Sequence, residues 1–133
     1  MTIDRETLKD QHAALEQSAS ALGALIAADA PDMEQLGRVK WQLGYRLAIH
    51  LAHEDQHVYP ALKAHSDARI AKLALLYERE MGDLDQRFRV YIAAWSADRI
   101  IADWPVFRRE TGTILDLLSQ RIGREERELY PLV

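Results

Sequence analysis

Apolar residues recur along this chain at alternating spacings of three and four, which is the period of one face of an α-helix. Four such stripes cover nearly the whole sequence: Leu8–Ile26, Val39–Val58, Ile70–Trp95 and Phe107–Leu129. No useful length alternates with a period of two, so no sheet is expected. Four long helices with short connections predict an all-α fold, an antiparallel up-down-up-down four-helix bundle.

Prolines and capping residues set the predicted helix ends. Pro31 suits the first turn of the second helix, and Pro60 should end or kink that helix near Tyr59. Ser66-Asp67 supplies N-cap chemistry for the third helix, and Asp103-Trp104-Pro105 opens the fourth.

The ends of the second and fourth helices carry an internal repeat. The run His50–Pro60 aligns with Arg121–Pro131, and three of its residues recur in register. These are Glu54, Tyr59 and Pro60, which return as Glu125, Tyr130 and Pro131. The repeat predicts two related helix pairs, with both runs at the same end of the bundle. We interpret each Tyr-Pro pair as a signal that ends the helix, with the tyrosine ring packed against the bundle.

Composition narrows the possible classes of protein. The 133 residues are 48% hydrophobic and 29% charged, which predicts one globular domain over residues 1–133. A net charge of −4 argues against nucleic-acid binding, and the absence of cysteine excludes thiolate nucleophiles and cysteine metal sites. No apolar stretch is long enough to cross a membrane and the start has no signal-like segment, so we expect a cytoplasmic protein. The sequence contains neither a phosphate-binding loop nor a nucleophile elbow, so it does not favour an enzyme.

Polar residues interrupt the apolar stripes at one level of the predicted bundle. His12 lies between Leu8 and Leu15, and His50 and Glu54 lie four apart on the apolar face of the second helix. Arg121 and Glu125 repeat the latter arrangement on the fourth helix. Two histidines with carboxylates suit iron, zinc or manganese, whereas a single histidine on an apolar face is more often a hydrogen-bonded core residue. The candidate metal ligands are His12, His50, Glu54 and Glu125.

These motifs resemble the hemerythrin-like (HHE cation-binding) family. The resemblance rests on His12, on H-L-x-x-E-D-x-x-V-Y-P at His50–Pro60, and on R-I-x-x-E-E-x-x-L-Y-P at Arg121–Pro131, and it covers nearly the whole chain. It implies an antiparallel four-helix bundle with a non-haem di-iron centre. Associated roles are oxygen binding, oxygen or redox sensing, nitric oxide response and iron handling.

The family's ligand pattern is only half present. It implies a histidine on the first helix and an H-x-x-x-E pair on the second, which His12, His50 and Glu54 match, and Glu125 matches the carboxylate of the fourth. The family's two third-helix histidines are replaced by Tyr77 and Met81, and Arg121 stands where its fourth-helix histidine is expected. A complete di-iron centre is therefore not expected, and one iron or zinc ion is the expected cofactor.

Two functions stay open at this stage. In the first, a metal-binding or sensing domain holds one ion, with oxygen or nitric oxide as a small ligand if the ion is iron. In the second, Arg121 pairs with Glu54 and Glu125 in place of a metal, with the Tyr77 hydroxyl joining them. That metal-free bundle acts as a dimerising or partner-binding module.

A second apolar stripe lies on the outer face of the second helix. Its residues, Trp41, Tyr45, Ala48 and Ala52, fall within a narrow arc away from His50. Aromatic rings beside small alanines favour contact with another helix pair, so we expect a homodimer through the Trp41/Tyr45 face. The alternative is a pair of aromatic side chains scattered on the surface.

Overall fold

The fold is built from helices throughout the part of the chain, residues 4–133, that the computed structural model describes. The α-helices are α1 (Arg5–Ile26), α2 (Met33–His53), α3 (Tyr59–Lys63), α4 (Ala68–Ala94), α5 (Ala97–Ala102) and α6 (Trp104–Arg124). Helix α1 packs against α2 and α6, and α4 packs against α3 and α6. No strand occurs in residues 4–133, and the predicted all-α bundle is confirmed.

Short polar side chains begin the helices where the sequence predicts them, with two differences. Asp67 caps α4 by accepting from the Arg69 N–H, as expected. The cap of α2 is Asp32, which accepts from Gln35, so Pro31 lies before the helix and its predicted place in the first turn is wrong. Helix α5, only six residues long, was not predicted within the connection between α4 and α6.

Both Tyr-Pro motifs follow a π-helical turn. The turns span Glu54–Val58 and Glu125–Leu129, and the N–H of the following tyrosine bonds to the carbonyl of the glutamate five residues earlier. Proline has no N–H to continue the usual ladder, which accounts for the wider turn at both places. The second helical segment therefore continues through α3 to Lys63, with the π-helical turn at the place of the expected end or kink, and a 3₁₀ turn, Tyr130–Leu132, closes the fourth.

The buried polar residues lie between two apolar clusters. The larger cluster fills the body of the bundle and includes Leu15, whereas a smaller one at the end of the bundle includes Leu8. His12 lies between these two leucines on α1, as predicted, and is almost fully buried. No helix within residues 4–133 is long and apolar enough to cross a membrane, and the cytoplasmic location stays a prediction.

Candidate metal centre

The structure brings all four predicted ligand residues into one buried layer. His12 and His50 are 1% exposed, and Glu54 and Glu125 are fully buried. The two imidazole Nε2 atoms lie 3.0 Å apart, and Glu54 Oε1 lies 2.8 Å from His50 Nε2. Glu125 Oε1 lies 3.6 Å from His12 Nε2. One ligand atom from each of His12, His50 and Glu125 falls within 4.8 Å of the others.

Acceptors behind the two histidines fix which ring nitrogen faces the site. His50 Nδ1–H donates to Gln11 Oε1 at 2.7 Å, and His12 Nδ1–H donates to Glu126 Oε1 at 3.2 Å. The Gln11 amide in turn donates to His53. Each Nε2 therefore presents a lone pair to the centre, which is how outer groups hold metal-binding imidazoles. Gln11 and Glu126 were not predicted from the sequence. The only available signal was for Glu126, because an acidic residue recurs at Asp55 and Glu126 in the two repeats.

The tyrosines of both repeats also reach the site, so interpreting them as simple helix-end signals is incomplete. The Tyr59 hydroxyl donates to Glu54 Oε2 at 3.2 Å. The Tyr130 hydroxyl lies 2.8 Å from His12 Nε2 and 3.2 Å from His50 Nε2. The π-helical turn explains the placement, because its hydrogen bond brings residues five apart one turn from each other. The recurrence of Glu and Tyr at this spacing was the available signal.

The two buried carboxyl groups do not share the same charge state. Burial raises the pKa of Glu125 well above its ordinary value, and its contact with Glu54 raises it further. Burial also opposes ionisation of Glu54, but the contact with the Glu125 carboxyl group and the neighbouring His50 outweigh it and lower the pKa of Glu54. Two carboxyl groups can hydrogen-bond only when one is protonated, so Glu125 holds the proton. Otherwise no donor among the described residues reaches Glu54 Oε1 or either oxygen of Glu125.

His12 is held neutral. Burial and the neighbouring His50 ring lower the pKa of His12 to about 4, although Glu126 opposes the shift. Burial raises the pKa of Tyr130 far above its ordinary value, so its hydroxyl stays protonated. A phenol supplies one proton, and it can satisfy one of the two facing Nε2 lone pairs. The other is left against a neighbouring nitrogen 3.0 Å away.

This donor set fits a divalent or trivalent metal ion. Neutral imidazoles and carboxylates are ligands for zinc and iron. Ligand atoms about 2.1 Å from one ion, at angles of roughly 90–120°, lie about 3.0–3.6 Å apart. The observed separations of 2.8, 3.0 and 3.6 Å lie in or just below that range. An ion would also satisfy the unpaired lone pair and the orphan carboxylate oxygens together.

A protein-family comparison agrees with this geometry. The model of the hemerythrin HHE cation-binding domain matches residues 4–133. The chain belongs to that family. Comparisons with curated proteins and with solved structures gave no match. The family resemblance predicted from the His50–Pro60 run and its repeat is thus confirmed over nearly the whole chain.

The other half of the family's site holds an ion-pair network. Arg121 pairs with Glu80 on α4, and Arg124 reaches the same carboxylate at 3.3 Å. The expected pairing of Arg121 with Glu54 and Glu125 is therefore wrong. The Arg121 side chain is 20% exposed where it binds Glu80. Its charge still lowers the pKa of Glu125, but less than burial raises it.

The two remaining residues that differ from the family pattern, Tyr77 and Met81, make contacts outside the buried layer of ligand residues. The Tyr77 hydroxyl donates to Glu128, so it does not join Glu54 or Glu125 as expected. Met81 packs in the larger apolar cluster. Neither side chain adds a nitrogen ligand, and the layer offers one compact set of donors around His12 and His50.

Proposed function

We propose that this domain binds a single metal ion through His12, His50, Glu54 and Glu125, with iron the first candidate and zinc the second. The observation that carries the proposal is the 3.0 Å approach of two imidazole Nε2 atoms whose Nδ1–H groups are already used. Two Nε2 lone pairs held in this way repel each other unless a proton or a cation lies between them. Because Tyr130 brings only one proton, a cation satisfies the arrangement better.

The chain's own residues define what such a site does. The two imidazoles contribute no net charge and the two carboxyl groups contribute up to two negative charges, which suits a divalent or trivalent ion. When bound, iron would supply an open position for a diatomic ligand, oxygen or nitric oxide. The apolar clusters above and below keep bulk water out, which favours binding or sensing of such a ligand. The Arg121–Glu80 pair occupies the other half-site, so we propose one ion instead of two.

Metal content tests the proposal directly. Protein purified without chelator, and protein loaded anaerobically with ferrous iron or with zinc, should hold about one ion per chain. His50→Ala should abolish binding because it removes the central ligand. His65→Ala is the matched control, since His65 lies exposed between α3 and α4 and its ring accepts from the Asp67 N–H, outside the buried layer. Absence of metal after both loadings, or equal metal in both variants, would overturn the proposal.

We also propose that a second copy of the chain covers the Trp41/Tyr45 face. The rings stack at 5.3 Å and are 70% and 56% exposed. A shallow groove lies on the same face, so a two-fold contact could place the rings of each copy in the groove of the other. The groove is lined by Gly44, Ala48, Phe88 and Ile92, among others.

Solution mass tests the dimer. Light scattering across concentrations should give twice the chain mass for the wild type and the monomer mass for Trp41→Ser with Tyr45→Ser. Ile101→Ser is the control, because Ile101 is a comparably exposed apolar residue on α5. A wild type that is monomeric at every concentration would remove the dimer.

A further inference from the structure

The Tyr130 hydroxyl occupies the same face of the centre as the two imidazoles. Its oxygen, His12 Nε2 and His50 Nε2 form a triangle with edges of 2.8, 3.0 and 3.2 Å. Three ligands on one face of an octahedron about 2.1 Å from the ion are separated by about 3.0 Å. The three atoms therefore match one triangular face of a coordination sphere. Glu54 Oε1 and Glu125 Oε1 flank this triangle.

The position of Tyr130 is held from several sides. Tyr130 is fully buried, and its ring stacks on the His12 ring with centroids 4.8 Å apart. The following turn is tied to the start of α1, because Arg5 donates to the carbonyls of Pro131 and Val133 at 3.1 Å. These contacts place the oxygen beside the two nitrogens before any ion arrives, which reduces the ordering cost of a ligand.

The equivalent tyrosine of the other repeat has a different role. The Tyr59 hydroxyl donates its proton to Glu54 Oε2, the carboxylate oxygen that is turned away from His50. The Tyr59 hydroxyl is therefore already used in a hydrogen bond outside the centre. Tyr130 has only the two metal-facing nitrogens as partners among the described residues. The repeat therefore offers two chemically matched phenols, of which one faces the centre and the other supports a ligand.

We propose that Tyr130 is a ligand of the bound metal through its phenolate oxygen, alongside His12 and His50. The inference rests on the proposed metal site and adds a ligand to it. On binding, the metal–oxygen bond replaces the phenol O–H bond, and the proton is released to solvent. The oxidation state of the metal does not change in this step. A phenolate ligand favours ferric over ferrous iron, because a hard anionic oxygen binds the more highly charged ion more strongly.

Ferric iron provides a direct optical test. Protein is loaded anaerobically with one ferrous ion, and ferricyanide then removes one electron from each iron. A bound phenolate gives a visible phenolate-to-iron charge-transfer band, and excitation in that band enhances phenolate ring modes in the Raman spectrum. Wild type and Tyr91→Phe should both show these signals, because Tyr91 lies in the larger apolar cluster and its hydroxyl bonds to Thr111, away from the centre. Tyr130→Phe should bind iron without them, and its zinc affinity should fall at least about tenfold relative to Tyr91→Phe.

The outcomes separate this inference from the metal site itself. Stoichiometric iron with no phenolate signal in the wild type would overturn the Tyr130 ligand and leave the metal site standing. Persistence of the signal in Tyr130→Phe would also overturn it. Loss of the signal in Tyr91→Phe as well, with iron retained, would overturn the assignment of the band to Tyr130. A wild type that binds no metal would remove both proposals.

Discussion

Replacing Glu125 by glutamine should stabilise the metal-free protein while weakening its metal binding. Glu125 is fully buried, and in the ionised state no donor among the described residues reaches either of its oxygens. Glutamine has nearly the same shape, carries no charge and brings an N–H₂ donor that can face Glu54. The variant therefore removes a buried group whose best partner is an absent cation. In a purely structural network the same substitution would break a contact and destabilise the fold.

The expected magnitude follows from the cost of an unsatisfied buried polar group, about 1–3 kcal/mol. We expect the free energy of unfolding of metal-free Glu125→Gln at pH 7 to exceed that of the wild type by about 1–2 kcal/mol. For a chain of this length the corresponding rise in Tm is roughly 3–8 °C. With free metal at about a hundred times its Kd, the wild type gains about 2.7 kcal/mol. Weaker binding denies the variant part of that gain, so the difference should shrink or reverse.

The effect also has a defined pH dependence. Burial and Glu54 raise the pKa of Glu125 in the folded state above its ordinary value of 4.5. The stability from this group is therefore fully present below pH 4.5 and is lost as the pH rises through the folded pKa. The advantage of Glu125→Gln should be small at pH 4.5 and should grow toward pH 7.

Urea unfolding with excess chelator, repeated with zinc, measures both effects. Glu34→Gln is the control, because that carboxylate is exposed and pairs only with Arg38 at 3.4 Å. A metal-free Glu125→Gln that is less stable than the wild type at pH 7 would refute the reasoning, since Glu125 would then have a stabilising partner other than Glu54 in the folded protein. Unchanged zinc affinity would remove Glu125 from the ligand set.

Three further predictions concern the surroundings of the centre. Gln11→Ala removes the acceptor that orients His50, so zinc affinity should fall roughly 10–100-fold in a competition titration, and metal-free stability should fall by about 1–3 kcal/mol because the buried His50 Nδ1–H loses its partner. Arg121→Ala and Glu80→Ala should show a coupling of up to about 1 kcal/mol in a double-mutant cycle and retain bound zinc, and loss of zinc would place Arg121 in the site. The His12 contribution to metal-free stability, on the order of 3 kcal/mol, should be lost as the pH falls from 6.5 to about 4, because the unfolded chain protonates this histidine first. His12→Gln should not show this loss, and an identical pH profile would contradict the low pKa.

The fold was predictable because helical periodicity reports burial directly. Leu8, Leu15 and Leu22 recur at intervals of seven residues and are all buried, which is the pattern that predicts α1. Helix α5 was not predicted, because six residues are too few to show a period. The kink expected at Pro60 is in fact a π-helical turn, since the sequence shows that a donor is missing but not how the backbone compensates.

The centre was predictable only where a polar residue lies on an apolar face. His12, His50, Glu54 and Glu125 stand out for that reason, whereas Tyr130 fits an apolar stripe and gives no such sign. The predicted partner of Arg121 was wrong because the position of a residue on a helix gives the direction in which its side chain leaves α6. It does not give the place that the end of a long side chain reaches. A long arginine side chain can leave the buried layer for Glu80 and keep part of its hydration, which costs less than full burial.

The unequal use of the two repeats explains why one centre draws on both halves of the chain. In the first repeat, His50 keeps Glu54 Oε1 at 2.8 Å. In the second, Arg121 takes the histidine's place but turns outward to Glu80, which leaves Glu125 without a cationic partner of its own. Glu125 then faces His12, and it lies beside the donors of the first repeat. The proposed ion would thus join α1 to the ends of the second and fourth helices. Removing the ligands at either of these two helix ends should therefore abolish metal binding.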